Sequence, residues 1–274
     1  MHVSSQLPFP VLDALPMGAH RLIALTDDAL FDACGVRVLF TGRDGGVSDG
    51  VYASMNTGAH VGDDLEAVER NRRLVCEAAG VSDAALLVLN QVHGTDFVRV
   101  ADASRVEEAH LRAEDGADGV VVEVPGVPTL LNAADCLLFV AVSPSGRFAV
   151  VHAGWRGAVA GIAGKAIRAL SEGDSFGPGD YNVYIGPHIR SECFEVGDDV
   201  AARFVDAFGA HVVPHANHVS LASSVSVDLE RAGIDLRRVA DCGICTNCHP
   251  DRYYSYRAMN GECGRHAAFA VRVG

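Results

Sequence analysis

Short apolar runs rich in Val and Leu recur along the chain, and they constrain its fold more than any other feature. Each run has the length and composition of a β-strand. Several follow one another directly between residues 117 and 151, a spacing that is typical of hairpins and of a mixed sheet. The predicted strands are residues 36–40, 86–89, 97–100, 119–124, 137–142, 148–151, 183–185 and 269–273.

Three segments have the periodicity of amphipathic helices. Asp63 and Asp64 can cap the first helix, which ends at Gly80. The second helix is predicted over residues 157–170 and the third over residues 200–208. Helices are too few for strict alternation with strands. The predicted fold is therefore α+β, with a mixed, strand-rich β-sheet core flanked by helices.

Composition favours one globular unit and argues against two classes of partner. No linker, charge block or repeat divides the 274 residues, so we expect residues 1–274 to form a single domain. The formal net charge is −13, from 22 basic and 35 acidic residues. Binding to a nucleic-acid polymer or to an anionic membrane needs a basic face, so this charge argues against both partners.

The expected compartment is the cytoplasm. Residues 1–10 lack the basic region and the apolar segment of a signal peptide. The most apolar stretches, such as residues 136–142, are far shorter than the roughly 20 residues with which a helix spans a bilayer. Cysteines in a reducing compartment are more often free or metal-bound than paired.

The chain contains 12 histidines and 8 cysteines, an ample supply of metal ligands. Three of them, His93, Cys136 and His152, occur where predicted strands begin or end. Because the strand ends of one sheet lie together in space, these residues can converge. Two imidazoles and one thiolate suit zinc, and three protein ligands leave a fourth position for water or substrate. The alternative is that each is a buried packing residue, the commoner role of a lone His or Cys.

Closely spaced glycines between residues 42 and 50 follow the predicted strand 36–40. Such glycines let backbone N–H groups turn towards an anion, and Arg43 and Ser48 can add a charge and a hydroxyl. A hairpin turn explains the glycines equally well. Arg156, at the start of the second predicted helix, can either reach an anion there or form a structural ion pair.

A series of short motifs occurs in a fixed order over most of the chain. They are Arg43-Asp44-Gly45-Gly46-Val47-Ser48, Asn56 with His60-Val61-Gly62-Asp63-Asp64, Asn71, Asn90-Gln91-Val92-His93-Gly94, Ala134-Asp135-Cys136, His152-Ala153-Gly154-Trp155-Arg156-Gly157, Ile185-Gly186-Pro187, Phe194-Glu195-Val196-Gly197, Cys245-Thr246, Tyr254-Ser255-Tyr256-Arg257 and Gly264-Arg265. In this ordered series the chain resembles the family called YfiH-like, polyphenol-oxidase-like or laccase-domain-containing, whose members are described as purine nucleoside phosphorylases. Two positions depart from the family pattern: Leu138 stands where Pro is usual, and Ala258 where a second Arg is frequent.

The resemblance implies a zinc site at His93, Cys136 and His152, with a purine nucleoside and phosphate as substrates. The reaction it implies is phosphorolysis of the N-glycosidic bond of adenosine- or inosine-type nucleosides, with adenosine deamination as a second activity. Asp135 is the nearest candidate for a catalytic acid or base, or for a residue that orients a histidine. The candidate substrate-binding residues are Arg43, Gly45, Gly46, Ser48, Asn56, Gln91, Arg156 and Arg257.

Three other functions compete with the phosphorylase hypothesis. Cys136 as nucleophile and His152 as base would make a Cys–His hydrolase. Some family members are described as peptidoglycan-editing factors, which suggests an amide of a peptidoglycan precursor as the substrate of such a hydrolase. Copper-dependent phenol oxidation is disfavoured because the sequence contains no His-x-His pair. A zinc ion closed by four protein ligands would instead hold together a non-enzymatic binding module.

A second group of cysteines lies near the carboxyl terminus. Cys242, Cys245 and Cys248 form two overlapping Cys-x-x-Cys pairs, and Cys263 follows them. This spacing is that of a structural zinc site, so a second metal ion at these four residues is one hypothesis. Free thiols or a redox-sensitive pair are the competing interpretations.

Overall fold

Two β-sheets form the centre of the molecule. The computed structural model describes residues 6–274, which contain twelve β-strands, six in each sheet; residues 1–5 of the amino-terminal segment considered above lie outside the described residues. The first sheet contains, in spatial order, β1 (Asp13–Met17), β2 (Leu22–Thr26), β3 (Val36–Thr41), β12 (His266–Arg272), β7 (Thr129–Ala133) and β4 (Leu87–Val88). The second contains β11 (Val239–Asp241), β10 (Asn182–Ile185), β8 (Leu137–Val142), β9 (Phe148–Ala153), β6 (Gly119–Val122) and β5 (Phe97–Val100). Both sheets mix parallel and antiparallel pairs.

Seven α-helices accompany the sheets within residues 6–274. They are α1 (Asp28–Cys34), α2 (Leu65–Ala78), α3 (Val106–Asp115), α4 (Trp155–Val159), α5 (Ile162–Ser171), α6 (Asp198–Phe208) and α7 (Leu221–Arg231). Asp64 caps α2 as predicted, because its side chain accepts a hydrogen bond from the backbone N–H of Glu66. The predicted fold class, α+β with mixed sheets flanked by helices, is confirmed. Over the described part of the chain, every helix is too short or too polar to cross a membrane.

The two sheets pack face to face, which explains why the central strands are apolar at every position. In β8, Leu138 and Val140 point into the core between the sheets, whereas Leu137 and Phe139 point to the opposite face, where α5, α6 and α7 pack. Both faces of the strand are buried, so the usual alternation of apolar and polar residues disappears. On the outer face of the first sheet, α2 packs near Phe269. The layers are therefore helix, sheet, sheet and helices.

The run of strands between residues 117 and 151 does not stay in one sheet. The sequence predicts hairpins there, and β8 and β9 do form an antiparallel hairpin. Between β6 and β8, however, lies β7, which the apolar pattern does not predict and which pairs with β12 and β4 in the first sheet. The chain therefore crosses from the first sheet to the second between Ala133 and Leu137.

The prediction of one continuous helix over residues 157–170 is wrong. The structure has two helices there, α4 and α5, because Gly161 between them has φ +75°, the left-handed conformation that interrupts a helix. The apolar stripe of α5 is as predicted, since Ile162, Ile167 and Leu170 are buried.

The packing of β8 against the helices should be a large source of stability. Phe139 is fully buried there, so Phe139→Ala is expected to lower the free energy of unfolding by about 3–5 kcal/mol through the cavity it leaves. Leu111→Ala is the matched control, because Leu111 on α3 is 61% exposed; it should change stability by less than about 0.5 kcal/mol. Unfolding in urea measures both values. Equal values for the two variants would contradict the assigned core.

Candidate active site

Three ligand side chains converge where the chain passes between the two sheets. His93 lies in the loop after β4, Cys136 lies between β7 and β8, and His152 lies in β9. Their ligand atoms all lie within 4.8 Å of one another, and the sulfur of Cys136 is 3.8 Å from Nε2 of His93. The two imidazole rings meet edge to face, with 4.8 Å between their centres. The three ligands suggested by the sequence therefore form one cluster.

Asp118 holds both histidines in place. Its buried carboxylate accepts hydrogen bonds from Nδ1 of His152 at 2.8 Å and from the backbone N–H of His93 at 2.9 Å. It also accepts from the backbone N–H groups of Val92 and Gly94. Because Nδ1 of His152 donates to Asp118, Nε2 is the nitrogen left to bind a ligand. A carboxylate behind a histidine in this way fixes the ring of a metal-binding imidazole.

The backbone beside two of the ligands is strained. His93 has φ +60° and Asp135, next to Cys136, has φ +85°, so both adopt the left-handed conformation that residues other than glycine rarely adopt. Each such residue costs about 1–3 kcal/mol and persists only where its surroundings enforce it. For His93 the enforcement comes from the hydrogen bonds to Asp118. For Asp135 it comes from its carbonyl, which accepts from the backbone N–H of Ile189.

Charge interactions within the cluster favour an ionised thiolate. Burial by itself would raise the pKa of the Cys136 thiol, but the charge of His152 and the hydrogen bonds with both histidines lower that pKa to about 6. Burial would lower the pKa of His152, yet Cys136 and Asp118 raise it to about 9. Burial opposes ionisation of Asp118 too, and its hydrogen bonds with His152 and Gly94 still lower its pKa. These interactions favour the thiolate of Cys136 at neutral pH, and the thiolate is the form that binds metals.

The donor set fits zinc. Zinc lies about 2.0–2.1 Å from nitrogen ligands and about 2.3 Å from sulfur, so neighbouring ligand atoms of a tetrahedral site lie roughly 3–4 Å apart. The 3.8 Å between the Cys136 sulfur and Nε2 of His93 falls in that range. All three residues line one cavity, so an ion that they hold would be accessible to a bound small molecule.

The cavity beside the three ligands has a volume of about 790 Å³. Sites that enclose small molecules span about 300–1,000 Å³, so this volume is sufficient for a nucleoside. Its lining combines aromatic and cationic side chains, namely Trp155, Phe194, Tyr256, Arg72, Arg156, Arg257 and Arg265.

The four arginines give the cavity a positive charge. Arg72, Arg257 and Arg265 are held by hydrogen bonds to backbone carbonyl groups, which position the guanidinium groups without neutralising them. Arg156 stacks on Trp155, 4.4 Å from the ring centre, and is exposed. Within residues 6–274 none of the four forms an ion pair with a carboxylate. Guanidinium groups with free N–H donors suit a phosphate ligand.

Comparison with known proteins agrees with the resemblance seen in the sequence. Residues 37–273 match the family model described as multi-copper polyphenol oxidoreductase laccase. The chain belongs to this family.

Relatives in this family are similar over most of their lengths. The chain is 38% identical to purine nucleoside phosphorylase PA4543 of Pseudomonas aeruginosa, over 85% of this chain and 92% of that protein. It is 32% identical to purine nucleoside phosphorylase YlmD of Geobacillus stearothermophilus, over 85% of this chain and 88% of that protein. The crystal structure of YlmD from G. stearothermophilus matches with a TM-score of 0.83 at 30% identity, covering 96% of this chain and 100% of that one.

Some of the substrate-binding candidates taken from the family motifs line the cavity. They are Gln91, Arg156 and Arg257. The Gln91 amide donates to the backbone carbonyl of Asn132 and accepts from the backbone N–H of the same residue, both at 2.8 Å. Gln91 therefore ties the loop after β4 to β7, and its polar atoms are already engaged.

The remaining candidates do not line this cavity. They are Arg43, Gly45, Gly46, Ser48 and Asn56. Arg43 donates to the backbone carbonyls of Ala53 and Pro250, which is a packing role. A Cβ on Gly46 would lie 2.2 Å from the carbonyl oxygen of Ser54, so close packing requires that glycine. In the structure the glycine-rich segment makes these close local contacts; it is not a hairpin turn, because the strand before it is followed by a short 3₁₀ helix at Gly50–Tyr52.

Asp135 lines the cavity, but its carboxylate is held elsewhere than on the histidines. It accepts from the hydroxyl of Thr246 at 2.6 Å and from the backbone N–H of Arg257 at 2.7 Å. The carboxylate that orients His152 is instead Asp118, which the sequence reasoning missed. A usable signal exists, because Asp118 is a polar residue directly before an apolar predicted strand.

Other lining residues were also missed, among them His60, Arg72, Tyr256 and Arg265. Three of them belong to the ordered family motifs, and that membership is the signal that could have identified them. Arg72 has no such signal, since α2 carries Arg70 and Arg73 beside it and their spacing does not distinguish them.

The carboxyl-terminal cysteines do not gather as the sequence predicts. Cys245 and Cys248 come together, but their third partner is Cys193. Cys242 packs against the core between the sheets, and Cys263 is buried in a separate small cluster. The predicted set of four ligands is therefore wrong in its membership, because tertiary packing separates residues that are close in sequence.

The lowered pKa of Cys136 makes its reactivity testable. In metal-free protein, its alkylation by iodoacetamide should rise with pH through a midpoint near its pKa of about 6 and then level off, because only the thiolate reacts. His152→Ala should move that midpoint upwards, since the stabilising charge is removed. Cys242 is the internal control: burial raises the pKa of its thiol to about 12, so it stays unlabelled at neutral pH. Timed labelling with peptide mass spectrometry measures both, and an unchanged midpoint in His152→Ala would contradict the charge pairing.

Proposed function

We propose that the chain is a zinc-dependent purine nucleoside phosphorylase that cleaves adenosine- and inosine-type nucleosides with phosphate. The observation that carries the proposal is one cavity that joins the His93, Cys136 and His152 cluster to four arginines, none of which forms an ion pair with another described residue. Relatives at 32% and 38% identity that bear the phosphorylase name support it. We further propose that residues 1–274 act as one domain, because both sheets contribute to this cavity.

The arginines suit the phosphate side of the reaction. In phosphorolysis a phosphate oxygen forms a bond to C1′ of the ribose while the C1′–N bond to the purine breaks; the base leaves with the electron pair and takes up a proton. Arg72 and Arg265 are fixed by backbone carbonyls, so they can hold a phosphate dianion with little loss of side-chain entropy. Arg156 is free to swing onto the bound anion.

The aromatic side chains suit the nucleoside side of the reaction. Phe194, Trp155 and Tyr256 line the same cavity and offer flat apolar surfaces to a purine or a ribose ring. When bound at His93, Cys136 and His152, zinc would supply polarisation of phosphate or base, or an activated water that accounts for adenosine deamination. Asp118 would keep the two imidazoles oriented towards that ion.

One experiment tests the proposal directly. Zinc-loaded protein is incubated with inosine and with adenosine, with and without phosphate, and the products are separated by chromatography. Free purine base that appears only with phosphate supports phosphorolysis, and inosine formed from adenosine without phosphate supports deamination. Failure to release base from either nucleoside, with zinc bound and phosphate present, would overturn the phosphorylase proposal.

A Cys–His hydrolase is the second candidate, because Asp118, His152 and Cys136 are arranged like a carboxylate, a base and a thiol nucleophile. An amide of a peptidoglycan precursor would be its substrate. The two proposals differ in the fate of the thiolate, since a bound metal ion occupies it. Protection of Cys136 from alkylation by added zinc, with activity retained, supports the phosphorylase; activity that zinc abolishes supports the hydrolase.

Copper-dependent phenol oxidation fits the site less well, although the family description names copper. A copper oxidase centre of several ions needs many imidazoles. Within residues 6–274, the two groups of potential ligands contain only two histidines, both in the cavity cluster. Charge-transfer absorption after copper loading, together with phenol turnover, would support copper-dependent oxidation instead.

A further inference from the structure

A second cluster of thiols lies outside the ligand cluster described above. It comprises Cys193, Cys245 and Cys248, whose sulfur atoms all lie within 4.8 Å of one another. The sulfurs of Cys193 and Cys248 are 3.4 Å apart. Cys245 is buried, Cys193 is half-buried and Cys248 is exposed, so the cluster opens to solvent on one side.

Backbone contacts hold these sulfurs together. The backbone N–H of Arg190 donates to the sulfur of Cys245 at 3.4 Å, and the backbone N–H of Cys193 donates to the carbonyl of Arg190. His188 forms a β-bridge with Cys245. The loop that carries Cys193 is thereby joined to the segment that carries the other two cysteines. The arrangement is built by the fold and does not depend on one flexible side chain.

We propose that Cys193, Cys245 and Cys248 form a binding site for a thiophilic metal ion, for which Zn²⁺ is the probe. Around a tetrahedral zinc ion with bonds of about 2.3 Å, neighbouring sulfurs lie roughly 3.8 Å apart, close to the spacing in the cluster. A disulfide would use two of the three thiols and leave the third without a function. Metal binding uses all three and releases their protons.

A metal ion bound at these three cysteines would hold in place the segments that form one wall of the cavity. The carbonyl of Cys193 accepts from the guanidinium of Arg257 at 3.4 Å, and Phe194, the next residue, lines the cavity. On the other side, Thr246 follows Cys245 and donates to Asp135, which in turn accepts from the backbone N–H of Arg257. An ion that joins the two segments would therefore fix the segment that presents Arg257.

The test measures zinc stoichiometry in full-length protein from which the cavity cluster has been disabled by Cys136→Ala. Reduced, metal-free protein is titrated with Zn²⁺ against a coloured chelator without oxygen. This background is expected to bind one equivalent. Adding Cys248→Ser should remove it, and Cys193→Ser provides a second, independent removal. Cys242→Ser is the matched control and should keep the equivalent, because Cys242 has the same Cys-x-x-Cys spacing but packs against the core.

Cobalt supplies a readout that does not depend on activity. With Co²⁺ in place of zinc, the Cys136→Ala protein should show strong thiolate-to-metal charge-transfer absorption, which the Cys248→Ser addition abolishes. Three results would overturn the proposal: no bound metal in the Cys136→Ala protein, unchanged stoichiometry after both serine substitutions, or a Cys193–Cys248 disulfide that persists under reductant. Because Cys136 is absent throughout, these outcomes are independent of whether the cavity is a phosphorylase site.

Discussion

Cys136→Ala is expected to lower kcat/KM for the phosphorolysis of inosine by at least about 100-fold and to remove one equivalent of bound zinc. Loss of an outer partner of a metal ligand already costs about 10–100-fold, and Cys136 is itself a proposed ligand, so the upper end of that range is a minimum. The substitution also removes the thiolate that raises the pKa of His152. Steady-state kinetics and metal analysis of the purified variant measure the two effects.

Cys242→Ala is the control for this prediction. Both residues are half-buried cysteines that contact the core between the sheets, but Cys242 does not line the cavity. The control should retain zinc and turnover. Inosine phosphorolysis at the wild-type rate in Cys136→Ala would show that the thiolate is dispensable and would contradict the ligand assignment.

Strands buried on both faces are the part of this fold that the sequence predicts best. The apolar run at 137–142 coincides with β8 to the residue, and the run at 148–151 lies within β9, Phe148–Ala153. Such strands lack alternation, so their short length and their Val-rich composition are the signal. The edge strand β1 is largely exposed and has no such run, which is why the pattern misses it.

Three helices are not predicted from the sequence: α1 is only seven residues long, α3 is polar, and α7 is rich in serine. α7 has the sequence LASSVSVDLER, and serine is a poor residue for helix interiors because it competes for backbone hydrogen bonds. The helix forms nevertheless because Leu221, Val225 and Leu229 pack into the core beside the second sheet. This stabilisation comes from tertiary contacts, which a local pattern does not contain.

The ligand cluster could be proposed from the sequence. Asp118 also stands at the end of a predicted strand, but the sequence does not show which side chains its carboxylate contacts. His93, Cys136 and His152 stand at strand ends inside recognisable motifs. Asp118 lies 25 residues from His93 and 34 residues from His152 along the chain. The pairing of β6 with β5 on one side and with β9 on the other brings its carboxylate to both. The positive lining of the cavity is similarly assembled from four separate segments.

Replacement of Asp118 therefore tests most directly whether its carboxylate positions the two histidine ligands. Asp118→Asn is expected to weaken zinc binding by about 10–100-fold, because an amide presents a donor to N–H groups that need an acceptor. Asp118→Ala leaves several buried donors without a partner and should lower the free energy of unfolding by about 3–5 kcal/mol.

The stability that Asp118 contributes should also depend on pH. Folding lowers the pKa of Asp118, so this contribution to the free energy of unfolding is present at neutral pH and is lost as the pH falls through the folded pKa. Metal titration and urea unfolding measure these effects.

Asp135→Asn distinguishes the role of Asp135, which lines the cavity, from that of Asp118, which supports the histidine ligands. Asp135 accepts from Thr246 and from the backbone of Arg257, so its replacement should raise KM for phosphate by loosening Arg257 while zinc affinity stays unchanged. If Asp135 were the catalytic acid or base, kcat would instead fall steeply with KM unaltered. If Asp118→Asn bound zinc as tightly as wild type while Asp135→Asn lost it, the roles assigned to the two residues would have to be exchanged.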